Sequence, residues 1–341
     1  MQRHRKNIFI ALLLLAVLVI FFIINKAEAN RTLKAKWIND YIEGIDLITS
    51  KNKILEIVLK DINYSQWNDK KDSIDLNINK VDLLGDSKEE LMMYISFTPK
   101  KSIIAVYQED EEGDYKYLDL VDEFFDIKDI QLISIGSKGK KLIVVREFVD
   151  QMLGAFEKGT YIRAYLWENG QFDMVLSLIE DYLAYWNEMW DNPQKLDPLW
   201  LKVEEKSTIK WENGPYPVIR VLENQFYYKS KMANIKELPK EDDFQLISSK
   251  EVLQTYYWNE KYQHFVLAEG KDIKTGEKVA IIEDLSLNPF QLAGFEQNQY
   301  RIKRENGKIE TVPKKQITKI NNPLRNSEDC FASLVILYII I

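Results

Sequence analysis

Tyr161-Ile162-Arg163-Ala164-Tyr165-Leu166-Trp167-Glu168-Asn169-Gly170-Gln171-Phe172 carries the clearest fold signal in the chain. Asn-Gly between two apolar, aromatic-rich segments specifies a type I′ turn, because both central residues must take positive φ, and the flanking segments then pair as antiparallel strands. Glu305-Asn306-Gly307 repeats the signal inside the segment Tyr300 to Val312. Outward from the first hairpin, Leu142 to Val145 supplies an inner strand and Ile130 to Ile135 another, which completes a four-stranded unit.

The same order recurs. Ile74 to Leu83, Leu91 to Ile95, Ile103 to Tyr107 and a strand opening at Tyr115 make one set; Ser207 to Trp211, Val218 to Val221, Val252 to Trp258 and a strand opening at Tyr262 make another. Four antiparallel strands per unit is the anatomy of a propeller blade. The expected fold class is therefore mainly β, a propeller-like array of three to four four-stranded antiparallel units. Residues 71–270 hold the repeat domain, and 271–322 form a fourth unit or a small SH3-like barrel. Leu178 to Trp190 reads as a short helical insertion, since Leu178, Tyr182, Tyr185, Trp186 and Met189 recur at helical spacing. Residues 30–70 read as a lead-in helix on Leu33, Trp37, Tyr41 and Ile45, followed by a strand from Ile54 to Leu59.

The two ends differ from this body. Arg3, His4, Arg5 and Lys6 precede an unbroken apolar run from Ile8 to Ile24, the pattern of a signal peptide or signal anchor over residues 1–29. Such a hydrophobic helix rises about 25 Å against a hydrocarbon core of about 30 Å. The basic cluster keeps the N-terminus inside, so the chain from Asn30 onward lies outside the cytoplasm. Ala27-Glu28-Ala29 offers small residues where a signal peptidase reads them. The expected address is a cell membrane, single-pass through residues 8–24 with the C-terminal domain outside, or secretion after cleavage near Ala29. Residues 323–341 form a tail with no assigned structure that ends in an apolar run from Phe331 to Ile341, and the sole cysteine, Cys330, excludes an intrachain disulfide.

Val81-Asp82-Leu83-Leu84-Gly85-Asp86-Ser87-Lys88-Glu89-Glu90-Leu91 resembles the FG-GAP or VCBS-type repeats of integrin-like β-propellers. In that family an Asp-x-Asn-Gly-Asp-Gly-x-x-Asp/Glu turn joins two strands, often around calcium. Asp82, Gly85, Asp86 and Glu90 match in place, whereas Leu84 stands at a usual ligand position and Ser87 replaces the second glycine. The resemblance implies a propeller over about residues 70–270 and a calcium site at Asp82, Asp86 and Glu90, completed by backbone carbonyls and water.

The chain has 46 basic and 53 acidic residues, net −7. The leading segment takes Arg3, Arg5, Lys6 and Lys26 against Glu28 alone, so the remainder is more acidic still. With no basic stripe to override that charge, nucleic acid is excluded as a partner. Only His4 and His264 exist, too few for a multi-histidine zinc site, and His264 falls in a strand among apolar neighbours. Carboxylate pairs are abundant, but none stands out as catalytic. Aromatic residues concentrate between Tyr182 and Tyr228, where Trp186, Trp190 and Trp200 accompany Asn187, Glu188 and Asp191. Flat rings beside polar acceptors make a ligand platform, although the same rings can equally fill a core. The expected function is an extracytoplasmic binding or scaffold protein that engages an envelope protein or glycan through Trp186, Trp190 and Trp200. The alternatives are a carboxylate-dependent cell-wall glycoside hydrolase and a passive structural envelope protein.

Overall fold

The computed structural model describes residues 32–320, apart from 137–138, 154–155, 213, 215 and 235, together with the segment 336–339. The expected signal segment, 1–29, lies outside the described residues, as does most of the tail. Among the described residues no helix is long and apolar enough to cross a membrane. The protein is mainly β, with antiparallel sheets of four, nine and five strands. It divides into two compact units, one ending at Glu123 and the other comprising Leu84–Asp86 and everything from Phe124.

In the first unit, helices α1 (Ala35–Ile42) and α2 (Leu47–Asp61) precede four strands: β1 (Asp75–Val81), β2 (Glu90–Thr98), β3 (Lys101–Glu109) and β4 (Tyr115–Phe124). These strands pair in sequence order, as the first predicted set requires. The expected strand at Ile54 to Leu59 is instead the middle of α2. Ile54, Leu55, Val58 and Leu59 are fully buried, the two-plus-two stripe that one helical face presents to a core. They join Leu91, Met93 and Ile95 of β2 in one cluster. A six-residue window of β-branched and aliphatic residues hides that period, which emerges only over the longer helix. Leu33 anchors the start of the described chain by a two-way backbone pairing with Tyr115, at 2.9 and 2.8 Å.

In the second unit the strands are β5 (Asp126–Ile135), β6 (Lys140–Asp150), β7 (Glu157–Glu168), β8 (Gln171–Asn187), β9 (Trp200–Glu212), β10 (Val218–Ser230), β11 (Phe244–Asn259) and β12 (His264–Val266). Each pairs with the next in one up-and-down meander. The second and third predicted sets are therefore a single sheet, joined where β8 pairs β9 from Asp181↔Lys206 to Asn187↔Trp200. The expected helical insertion is corrected by the same observation. Residues 178–187 belong to β8, and only Glu188–Asp191, α3, is helical. Leu178, Tyr182 and Trp186 are four residues apart, a spacing that satisfies both the helical period and strand alternation, and pairing with β7 and β9 decides between them. Ile135 of β5 and Phe265 of β12 share one core with Leu142, Leu166, Val221 and Trp258, so the meander curls until its ends face a common cluster while the sheet stays open.

A five-stranded antiparallel sheet follows: β13 (Ala268–Asp272), β14 (Lys278–Asp284), β15 (Gln299–Arg304), β16 (Ile309–Pro313) and β17 (Ile317–Ile320). Its order is β16-β15-β14-β13-β17, with a 3-10 turn at Lys314–Gln316 leading into the last strand. Gly270 makes the β13–β17 approach possible, since a Cβ there would lie 2.5 Å from Ile317 Cγ2. Strand β18 (Ile336–Ile339) adds to β11 opposite Ser248–Glu251. The segment between β14 and β15 carries two short 3-10 turns, Leu285–Leu287 and Pro289–Ala293. Phe290, Leu292 and Ala293 of that segment pack with Tyr182, Leu201 and Tyr227 of the curled sheet.

Candidate functional site

The end of β8 and the segment 285–297 border an open cavity of about 460 Å³. Gly159 begins the construction. It pairs with Tyr182 across the β7–β8 ladder, and a Cβ on it would lie 2.9 Å from the Asp181 carbonyl and 3.2 Å from the Tyr182 ring. Glycine thus lets the Tyr182 ring settle against β7, and the Tyr182 hydroxyl donates to Glu157 Oε2 at 2.8 Å. Where β8 ends, Asn187 caps α3 by accepting the Met189 backbone N–H at 2.9 Å. That turn leaves Trp190 53% exposed.

The rings of the lining pack against one another in a continuous wall. Trp186 lies 5.7 Å from Phe290 and 5.8 Å from Phe295, centroid to centroid, and stacks on Tyr227 at 6.5 Å. Trp190 sits 5.4 Å from Phe156 and meets Trp200 edge-on at 5.4 Å. The polar lining consists of Glu157, Asp191, Asn288, Gln297, Tyr182 and Tyr185, and among the described residues no lysine, arginine or histidine contributes. Burial raises the Tyr182 and Tyr185 hydroxyls far above the ordinary tyrosine value, and hydrogen bonds to Glu157 and Glu241 push the same way, so both stay protonated donors. Two polar atoms of the lining residues, Trp186 Nε1 and Asn288 Oδ1, are buried without a hydrogen-bond partner among the described residues. Leaving such an atom unpaired costs about 1–3 kcal/mol.

Of the three tryptophans expected to bind ligand, Trp186 and Trp190 line this cavity. Trp200 is 3% exposed and lies behind them, packed with Tyr185 and Phe244 as part of the core. The sequence reading missed Asn288, Phe290, Phe295 and Gln297, which arrive from a segment distant in the chain; Pro289-Phe290 in an otherwise polar loop was the available signal.

A second polar group lies on the buried face of β9, β10 and β11. Gln225 Nε2 is 3.0 Å from Glu205 Oε2, 3.3 Å from Glu223 Oε2 and 2.6 Å from the Leu287 carbonyl. An amide has two N–H groups for these three acceptors. Gln254 donates to the other oxygen of Glu223. Burial pushes both carboxyls well above the ordinary glutamate value; the charge of Glu205 adds to the rise at Glu223, and the Gln225 amide opposes it at Glu205. Neither acid lines the aromatic cavity.

The expected calcium set is not assembled. Glu90 is fully buried and accepts the Leu83 backbone N–H at 2.9 Å, while Asp82 accepts the Ser87 N–H at 3.0 Å. These carboxylates stitch the turn between β1 and β2, and among the described residues no group of three or more His, Cys, Asp or Glu side chains, Asp82, Asp86 and Glu90 included, converges to hold a metal ion. His264 is 6% exposed, with Nδ1 2.8 Å from the Phe265 carbonyl oxygen. Burial takes its pKa down to about 4, so it is a neutral strand residue. In comparisons with known proteins, no family model matches the chain and no curated protein is significantly similar to it.

Proposed function

We propose that the protein is an extracytoplasmic binding module, held through residues 8–24 or released near Ala29, whose site is the aromatic cavity at the end of β8. The carrying observation is the convergence of Trp186, Trp190, Phe290 and Phe295 with Glu157, Asp191, Asn288 and Gln297 around one space of about 460 Å³. Pockets of about 300–1,000 Å³ with apolar walls and a few placed polar groups are ordinary small-ligand sites. The flat rings suit the apolar face of a sugar or a side chain, and the amides and carboxylates fix its orientation. An envelope glycan or an exposed segment of an envelope protein is the proposed partner. The extracytoplasmic address rests on the pattern of residues 3–29.

A carboxylate-dependent hydrolase is the second reading, favoured by the raised pair Glu205 and Glu223. Their exposures of 4% and 7% weigh against direct contact with a substrate.

The test is capture from an envelope extract by the full chain in mild detergent, beside Trp190→Ala. Retention of one glycan or protein component by the wild type, and its loss in the variant, supports the cavity as the site. Equal retention by both overturns it.

A further inference from the structure

We propose that the occupant of the aromatic cavity presents an organic cation, an alkylammonium group set among the rings; the inference rests on reading this cavity as the binding site. Aromatic faces carry negative charge density and attract ammonium groups, most strongly when water is excluded. Here Trp186, Trp190, Phe290 and Phe295 share a wall with the carboxylates of Glu157 and Asp191, and among the described residues no basic side chain lines it to balance them.

Two other cavities of the same unit make the contrast. One, lined by Lys140, Glu168 and Trp258, contains its own ion pair, Lys140 to Glu168 at 2.8 Å. The other, lined by His264, Glu283 and Arg301, contains the pair Arg301 to Glu283 at 3.1 Å. Each of these carries a basic side chain paired with an acid in its own lining, with Glu260 one acid in excess in the first. Near the aromatic cavity Lys202 is engaged elsewhere, with Glu241 at 2.6 Å and Glu204 at 3.6 Å. An anionic guest would meet two carboxylates and no counter-charge. A neutral guest gains nothing from the two carboxylates, whereas an ammonium supplies the missing charge and donors.

The chemistry is shared by a quaternary ammonium headgroup and by the primary ammonium of an amino sugar, and four probes separate them. Tryptophan fluorescence of the full chain in detergent is titrated with choline and its uncharged isostere 3,3-dimethylbutan-1-ol, then with glucosamine and N-acetylglucosamine. At least one cation should bind about tenfold tighter than its neutral counterpart, the scale expected of a partly desolvated cation–π site. Glu157→Gln, which keeps an acceptor for the Tyr182 hydroxyl, and Asp191→Asn should weaken the cation severalfold and leave the neutral probe unchanged. Trp190→Ala should abolish the response to both. Neutral probes that bind as tightly as the cations, with Trp190→Ala still removing the signal, overturn the cation assignment and leave the cavity as the site. No response to any of the four probes overturns both.

Discussion

Two buried carboxylate sites in the second unit have opposite characters. Asp272 is fully buried, yet its carboxyl lies at about 2; burial would raise it, but Arg304, the Lys274 backbone N–H and Gln316 together outweigh that. The Arg304 guanidinium reaches Asp272 at 2.8 Å, Glu277 at 2.6 Å and Glu310 through Nε, so one cation ties β13, β15 and β16 together. Glu205 and Glu223 have comparable burial and, among the described residues, no cation in hydrogen-bond contact; the amides of Gln225 and Gln254 donate to them. Their carboxyls rise instead. Burial alone does not set ionisation; the donors that accompany it do. The first site is a fixed charge, and in the second burial favours the protonated carboxyl.

The comparison breaks most sharply at Arg304. Arg304→Met leaves Asp272 buried without its counter-charge, a loss of about 3–5 kcal/mol expected in urea unfolding; a change below about 1 kcal/mol would mean that the knot contributes little beyond its desolvation. Gly270→Ala in the same sheet drives a Cβ against Ile317 and should cost about 1–3 kcal/mol by the same measurement.

The glutamate pair is tested by pH. Because the folded carboxyls are raised, the folded state holds more protons than the unfolded chain above the ordinary glutamate value of 4.5. Stability therefore falls as pH rises from there through neutrality, by at most about 1.4 kcal/mol per pH unit for each proton. Glu205→Gln or Glu223→Gln should flatten that slope in urea melts between pH 5 and about 8.5. Asp272 has the opposite sign. Its contribution is present above 3.8 and disappears as pH falls toward about 2, a loss that Asp272→Asn removes. The smallest effect belongs to Trp190→Ala, expected to change stability by less than about 1 kcal/mol because that ring is largely exposed.

Local turn chemistry was legible where a backbone conformation allowed few residues. Asn169 and Gly170 both take positive φ, at 52° and 87°, as the hairpin reading required. At Glu305-Asn306-Gly307 only Gly307 does, at 85°, so that hairpin closes through a different turn. The long strand β8 was illegible because its apolar residues satisfy two periods at once, and its pairing with β9 is a non-local choice that no short window records. The carboxylate pair had a readable trace. Ile219, Val221, Glu223, Gln225 and Tyr227 alternate along β10 and are all buried, so a glutamate and a glutamine in phase with a core face announce a buried polar group. The cavity was half legible: the tryptophans cluster in sequence, but their opposing wall comes from a loop placed only by the completed fold.

The pairing of Leu33 with Tyr115 also sets a reach. In the proposed anchored form, the chain from Ile24 to Leu33 can extend no more than about 30 Å, at 3.3–3.6 Å per residue. Since Leu33 is fully buried and held from both sides by Tyr115, slack cannot be drawn from the folded body. The first unit would be held on a short leash, and lengthening that leash would free it from the bilayer without altering any contact in the site.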